Sequence, residues 1–379
     1  MDKKKILVWE TLATVSGGQK MTLTVMDLLR EQYDFLCLIP EKGLLSDELD
    51  KRKIPYVLLG DMTLPTGIKG KKTVFIYAWM SVKCIARSLR AIRKYKPDIL
   101  YAPGPAALPW SAVCGTLMRK PVVWHLHHMF LDGPTKKLLN ICSKWKAVKR
   151  IIAVSRCVGE QITAPSASPK IEVLYNPVDV ARYSSGTGQR FLESVQTQYG
   201  LPLENRILIG HIALVQRSKQ QSFVLAVIRK LRELGVDAVG LFAGEVREPD
   251  YEAELRRQIK EYELENATVL LGRRGDIPDM LKALSVLMIP SVEGFPLAGV
   301  EAAAAGTPVA ACNAAGAREY IEASKAGAIF QESDIDSAAS AVLSTIEQAD
   351  VFKKNGHAFA ESASLQEYYR NLKSVFDAV

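Results

Sequence analysis

The chain alternates between short, nearly continuous apolar runs and longer stretches in which apolar residues recur every three or four positions. In the first half the runs fall at 6–9, 35–39, 56–59, 99–101, 122–126, 151–154 and 172–174. Each is rich in Val, Ile, Leu or aromatic residues and lacks a polar face, which is how strands buried on both sides of a parallel sheet read. Helical patterns lie between them, for example at 80–95 and 135–145. Beyond Asn176-Pro177 the periodicity fades, and Ser184-Ser185-Gly186-Thr187-Gly188 reads as a small polar linker. The alternation then restarts, with runs at 207–212, 238–242, 268–271, 286–289, 308–311 and 328–330 and amphipathic helices at 221–234 and 251–263. Repeated strand–helix alternation predicts an α/β architecture with a parallel sheet in each half. Two such sheets imply a cleft, and open α/β sheets bind ligands beyond the carboxyl ends of their strands. The last stretch, 350–379, reads as helix and is expected to pack back across both halves.

Composition narrows the class. A chain of 379 residues suits two ordinary domains, and 48% apolar with 24% charged residues is a globular balance. No apolar run approaches the ~20 residues of a membrane helix. The start, Met1-Asp2-Lys3-Lys4-Lys5, leads directly into Ile6-Leu7-Val8-Trp9 without an apolar region of signal-peptide length. The expected location is therefore cytoplasmic. Six scattered cysteines with no CxxC pair point to neither a disulfide framework nor a structural zinc site. The net charge of +8 hides an asymmetry: residues 1–170 hold 28 Lys and Arg against 13 Asp and Glu, and the remainder holds 21 against 28. The basic half suits a phosphate-bearing acceptor or the anionic inner face of a membrane, or it simply keeps the protein in solution. No nucleic-acid module is present, so nucleic acid is not an expected partner.

The strongest chemical signal is Glu293-Gly294-Phe295-Pro296-Leu297-Ala298-Gly299-Val300-Glu301. It follows an apolar run and leads into a helix, then Gly306-Thr307-Pro308-Val309. Gly294 and Pro296 set a tight turn. The helix beyond offers unpaired N–H groups and its positive dipole end to an anion. Glu301 is placed to accept hydrogen bonds from ribose hydroxyls, and Glu293 lies on the strand-end side, near a transferred group.

This string resembles the E-x7-E element of retaining GT-B glycosyltransferases, specifically the large family 4, and the resemblance runs almost end to end. Gly17-Gly18 resembles the loop that approaches the donor phosphates. Ile152-Ala153-Val154-Ser155 and Tyr175-Asn176-Pro177-Val178-Asp179 resemble segments near the end of the family's first domain. Leu271-Gly272-Arg273 followed by Asp276-Ile277-Pro278 resembles the loop near the nucleobase. In the family, a Lys preceded by an Arg clamps the donor diphosphate. Lys219 matches the Lys; Leu214 stands where the Arg is usual, and Arg217 is the candidate to supply the missing charge. Family members often carry a His at the end of the fifth strand, reaching the donor sugar. Here Trp124-His125-Leu126-His127-His128 offers His127, then His125, on one side of the strand, with His128 pointing away. Ala315-Gly316 stands where the family has two glycines, and Met129-Phe130-Leu131-Asp132-Gly133 is expected on the acceptor side.

The resemblance implies a GT-B fold of two Rossmann-like domains facing across a cleft. The expected domains are 1–180, on the acceptor side, and 190–359, on the donor side, with a C-terminal helix at about 360–379 returning to the first. It implies transfer of a sugar from a nucleotide diphosphate, UDP favoured over GDP, to a hydroxyl of a glycan, lipid-linked or small-molecule acceptor, with retention. The expected catalytic residues are His127, His125, Lys219 and Glu293. The expected donor-binding residues are Gly17, Gly18, Arg217, Lys219, Arg273, Glu293, Gly294, Phe295, Pro296, Leu297 and Glu301. Neither a metal nor a cofactor other than the nucleotide sugar is expected. No G-x-G-x-x-G follows the first strand, and no P-loop or nucleophile elbow is present. Asp334-Ile335-Asp336 mimics a metal-binding DxD but reads as a helix start. The alternatives are a phosphorylase or epimerase on the same fold, or a non-catalytic binding protein, for which Leu214 is the best argument.

Overall fold

The computed structural model describes residues 3–60, 71–130 and 132–379; Leu131 of the expected acceptor-side loop lies outside them. The chain divides into two compact units, Met1–Tyr175 with Tyr368–Val379, and Asn176–Glu367.

The first unit is built on a parallel seven-stranded sheet of β1 (Lys4–Trp9), β2 (Tyr33–Ile39), β3 (Tyr56–Leu58), β4 (Ile99–Ala102), β5 (Val122–Leu126), β6 (Val148–Ala153) and β7 (Ile171–Val173), in the order β3-β2-β1-β4-β5-β6-β7. Ile6, Leu7, Val8 and Trp9 are all buried, which accounts for the unbroken apolar run. Three core tryptophans each satisfy the indole N–H with a helix serine: Trp9 donates to Ser88 at 2.9 Å, Trp110 to Ser81 at 2.7 Å and Trp124 to Ser111 at 3.0 Å. Ser81 and Ser88 belong to the helix Lys71–Tyr95, so two of these bonds fix which face it turns inward. The chain's end also belongs here. Phe376 is buried with its ring centroid 6.0 Å from that of Tyr33 and 5.6 Å from that of Tyr101, and Gln32 donates to the Tyr369 hydroxyl at 2.6 Å.

The second unit carries a parallel six-stranded sheet of β8 (Ile207–Ile212), β9 (Ala238–Ala243), β10 (Thr268–Gly272), β11 (Val286–Ile289), β12 (Val309–Cys312) and β13 (Gly327–Phe330), in the order β10-β9-β8-β11-β12-β13. Both orders are those of a doubly wound Rossmann-like sheet. Each has its switch point where the chain turns to the other side of its first strand, between β1 and β4 and between β8 and β11.

The expected linker at 184–188 is corrected. A Cβ added to Gly186 would lie 2.3 Å from the Pro278 carbonyl oxygen, and the Thr187 N–H donates to Asp279 at 2.7 Å. That stretch is packed within the second unit, and the division falls between Tyr175 and Asn176 instead. Small polar residues suggest a flexible link, whereas here the missing side chain of Gly186 permits close backbone approach. Asp334 is the N-cap of the helix Ile335–Glu347, accepting from the Ser337 N–H at 2.9 Å. Among the described residues, no helix is long and apolar enough to cross a membrane, and none of the six cysteines is in a disulfide.

Candidate active site

At the switch point of the second sheet, the loops after β8 and β11 leave the carboxyl edge side by side. The first carries Lys219 at the end of the short turn Arg217–Lys219, and the second carries Ser291 and Glu293. They meet: Lys219 Nζ donates to Glu293 Oε1 at 2.6 Å, and Ser291 Oγ donates to the same oxygen at 2.6 Å. The pair is partly open, with side-chain exposures of 24% and 21%. Buried His211 on β8 has its Nδ1 3.1 Å from the Met288 carbonyl on β11. Burial pushes this imidazole down to about 4, Lys219 adds to the effect, and the Met288 carbonyl and Glu293 oppose it. At neutral pH it is therefore an uncharged spacer between the strands.

The backbone under Glu293 is fixed from several sides. The Gly316 N–H donates to the Glu293 carbonyl at 2.9 Å. A Cβ on Gly316 would lie 1.9 Å from the Gly294 carbonyl oxygen, so only glycine fits there. The neighbouring Ala315, at the family's other glycine position, holds φ at +40°. Asn176 Nδ2 donates to the Phe295 carbonyl at 3.2 Å. The Phe295 ring, 5% exposed, has centroids 6.0 Å from Tyr320 and 6.5 Å from Phe359. The side chains of Phe295 and Pro296, expected as donor-binding residues, are buried and anchor the turn. Gly294 is buried with them, while Leu297 is partly exposed at the start of the helix Leu297–Ala305. That helix opens without a side-chain cap, leaving first-turn N–H groups for a ligand. Glu301, one turn on, accepts from the hydroxyl of Tyr183 on the helix Val180–Ser184. Burial first, and then the Glu301 charge, push that phenol well above its usual range.

Arg217 does not join Lys219. Its guanidinium pairs with Glu254 and lies 5.1 Å from the Tyr251 ring centroid, both on the helix Pro249–Glu261. The helix supplies an acidic partner and an aromatic face that the sequence order does not reveal, so Arg217 is withdrawn as a donor-binding residue. Arg273 is exposed on the loop after β10. Its neighbour Arg274 does the structural work: it pairs with Asp276, donates to Ser194 at 2.9 Å and lies 5.3 Å from the Phe191 ring centroid. A cavity of about 190 Å³ opens at the carboxyl ends of β9 and β10, lined by Phe242, Gly244, Val246, Leu271 and Gly272 among others. A wider groove of about 470 Å³ in the first unit is lined by Lys3, Lys5, Tyr33 and Phe35, at the amino ends of β1 and β2, the end such sheets do not use for ligands.

In the first unit, Gly17 and Gly18 open the helix Gly17–Leu29, and a Cβ on Gly18 would lie 4.0 Å from His128 Nε2. His125 and His127 share a side as expected, with ring centroids 4.0 Å apart. Their environments differ. His125 is wholly buried, with Nδ1 2.6 Å from the Tyr101 hydroxyl, and burial pushes it down to about 3. His127 sits beside it just past the strand end, half-buried, and is pushed down first by burial and then by the neighbouring imidazoles. A direct catalytic role for His125 is corrected to support of His127, because its ring is enclosed. Buried Glu10, beyond β1, takes hydrogen bonds from Gln19 and Thr22, and burial raises its carboxyl above the usual range. Among the described residues, no group of three or more His, Cys, Asp or Glu is arranged to hold a metal.

Sequence reading missed Tyr183, Ser291, His211 and Arg274. Of these, only Ser291 carried a local signal, its place two residues before Glu293 at a strand end.

Two doubly wound sheets, one in each unit, are the architecture of the GT-B class. Residues 197–364 match the family model described as glycosyl transferases group 1, and residues 45–182 match that of glycosyltransferase family 4. The two models together cover most of the chain, and the protein is a GT4-type GT-B glycosyltransferase. A curated relative, the Escherichia coli UDP-Gal:alpha-D-GlcNAc-diphosphoundecaprenol alpha-1,3-galactosyltransferase, is 25% identical over 362 residues, covering 90% of this chain and 87% of the relative. Anabaena HepE, solved in complex with UDP, superposes with a TM-score of 0.83 at 21% identity, over 99% of this chain and 100% of HepE. A glycosyltransferase from Rickettsia africae gives a TM-score of 0.78 at 22% identity, over 100% and 99% of the two chains.

Proposed function

We propose that this enzyme transfers a sugar from a UDP-sugar to a hydroxyl of a lipid-linked glycan acceptor, with retention and without a metal. The observation that carries the reading is the convergence of Lys219, Glu293 and the uncapped start of the helix Leu297–Ala305 at one switch point. A cation and a helix N-terminus together suit a diphosphate, whose charge grows as the sugar departs. The 190 Å³ cavity at the ends of β9 and β10 is of a size for a nucleobase, and Glu301 for the ribose hydroxyls. UDP is favoured because HepE was solved with it and because the E. coli relative is named for a UDP-sugar and a diphospholipid acceptor.

Glu293 and Lys219 hold one another. On binding, Lys219 turns to the diphosphate, and Glu293 is released to orient the sugar. The departing phosphate then takes the acceptor proton on the same face of the sugar, giving retention. Acceptor recognition is assigned to the first unit, while Gly17, Gly18 and His127 keep the donor-directed roles that the resemblance implies. The neutral imidazole of His127 donates or accepts a hydrogen bond without adding charge.

Thermal shift against UDP, GDP, ADP and dTDP tests the donor class. A ligand at about 100 times its dissociation constant stabilises by about 2.7 kcal/mol. A shift with UDP that shrinks in Glu301→Ala is the expected result, and no shift with any nucleotide overturns the reading. Transfer undiminished by EDTA, and a product whose anomeric proton coupling matches the donor, are expected in the same preparation.

A further inference from the structure

Glu10 immediately follows β1, at the switch point between β1 and β4 of the first sheet, and its side chain is 2% exposed. Its carboxyl takes hydrogen bonds from Gln19 Nε2 at 2.9 Å, from the Thr22 hydroxyl and from the Thr11 N–H. Gln19 and Thr22 are buried on the helix Gly17–Leu29, and each leads back to the backbone where that helix starts. Gln19 Oε1 accepts from the Ser16 N–H at 3.3 Å and from the Ser16 hydroxyl at 2.5 Å. The Thr22 hydroxyl lies 3.3 Å from the Gly18 carbonyl oxygen. The two bonded chains therefore bracket Gly17, which is exposed, and Gly18, which is half-buried. Neither glycine has a Cβ to cover the first N–H groups of the helix. The rest of loop 10–16 is fixed separately: the Leu45 N–H donates to the Ala13 carbonyl at 2.9 Å, and a Cβ on Gly104 would lie 3.0 Å from Thr11 Cγ2.

We propose that Glu10 is a positioning residue of the donor site, holding the Gly17–Gly18 turn, through Gln19 and Thr22, in the shape that receives the donor diphosphate. This role rests on the donor-directed reading of Gly17 and Gly18. The switch point of an open α/β sheet is where such a turn meets a ligand, and a turn without side chains depends on its neighbours for its shape. Every partner of the Glu10 carboxyl is neutral, and burial favours its uncharged form. What residue 10 supplies is therefore two hydrogen-bonding atoms at a fixed depth, rather than a charge. A glutamine there would offer an acceptor to Gln19 and an N–H to the Thr22 oxygen, leaving the Thr22 proton for the Gly18 carbonyl.

The test is calorimetric titration of the full chain with UDP, with uridine followed by ligand-detected NMR and backbone amide exchange measured on the same variants. Glu10→Leu and Thr22→Val should each weaken UDP about tenfold, the size of one or two lost hydrogen bonds, with unchanged stoichiometry. Uridine, which carries no phosphate, should bind both as it binds the wild type. Amide exchange should quicken at residues 16–19 and stay as it was across the strands of the first sheet. Glu10→Gln should restore UDP affinity and protection to within about threefold of wild type. Thr22→Val exchanges a hydroxyl for a methyl of like size, and it carries the test if Glu10→Leu does not fold. Wild-type UDP affinity in Thr22→Val, equal weakening of uridine and UDP, or Glu10→Gln as weak as Glu10→Leu overturns the proposal. A wild-type chain that does not bind UDP overturns the donor-site reading and this role with it, whereas wild-type binding that the variants leave untouched overturns this role alone.

Discussion

Lys219→Ala is the substitution that bears most directly on the chemistry. Lys219 is held by Glu293 at 2.6 Å. The two side chains are 24% and 21% exposed, so neither solvent nor protein alone sets the dielectric. At an effective value near 20, a cation about 4 Å from a phosphate oxygen is worth about 4 kcal/mol. Only the share that grows with the leaving charge lowers the barrier. Removal of a single preorganised group of this kind typically costs about 10² to 10³ in kcat, and that is the expected loss. KM should move less, because the helix N-terminus and Glu301 still hold the donor. Folding should be nearly intact: a partly solvated ion pair contributes no more than about 1 kcal/mol, or about 2–4 °C in Tm for a unit of this size. The assay is coupled UDP release under saturating donor, with melting temperature measured on the same preparation. Arg217→Ala, whose guanidinium is paired with Glu254, is the control and should keep activity within about twofold, as surface substitutions do. Lys219→Ala within threefold of wild type would refute the clamp, and so would an equal loss in Arg217→Ala.

Three further outcomes follow from the same geometry. Gly316→Ala forces a Cβ to within 1.9 Å of the Gly294 oxygen; it should cost about 1–3 kcal/mol by overpacking and raise KM by displacing Glu293, and an unchanged Tm would show that the turn is not fixed there. Tyr183→Phe removes the phenol hydrogen bond to Glu301 and should weaken UDP binding severalfold by calorimetry with kcat unchanged; equal affinities would mean that Glu301 needs no support. His125 and His211 are pushed down to about 3 and about 4 when folded, while the unfolded chain takes up their protons near 6.5. The unfolded state therefore binds more protons below that value, and stability falls as pH drops from about 6.5 toward 4, by about 1.4 kcal/mol per pH unit per histidine. Urea midpoints at pH 7.5 and 5.5 should show this, and His125→Phe should flatten the dependence in the first unit.

The hydrophobic pattern by itself determined the architecture. Each of the thirteen strands among the described residues coincides with an apolar run, most plainly the central ones, because a strand buried on both faces of a parallel sheet has no polar side to disguise it. Glu293 and Glu301 were legible for a local reason: both lie on one strand–turn–helix segment whose turn chemistry shows in nine consecutive residues. Partnerships between segments were decided only by the tertiary structure. The switch point brings Lys219 to Glu293 across 74 positions, whereas Arg217, two residues before the lysine, turns to Glu254 on another helix. Tyr183 reaches Glu301 from outside the apparent second domain, and the supposed linker beside it is packed because Gly186 lets two backbones touch. Spacing along a chain fixes which way a side chain faces relative to its neighbours. Which charge it meets depends on strand order and on the loops that the order brings side by side, and neither is encoded within a window of sequence.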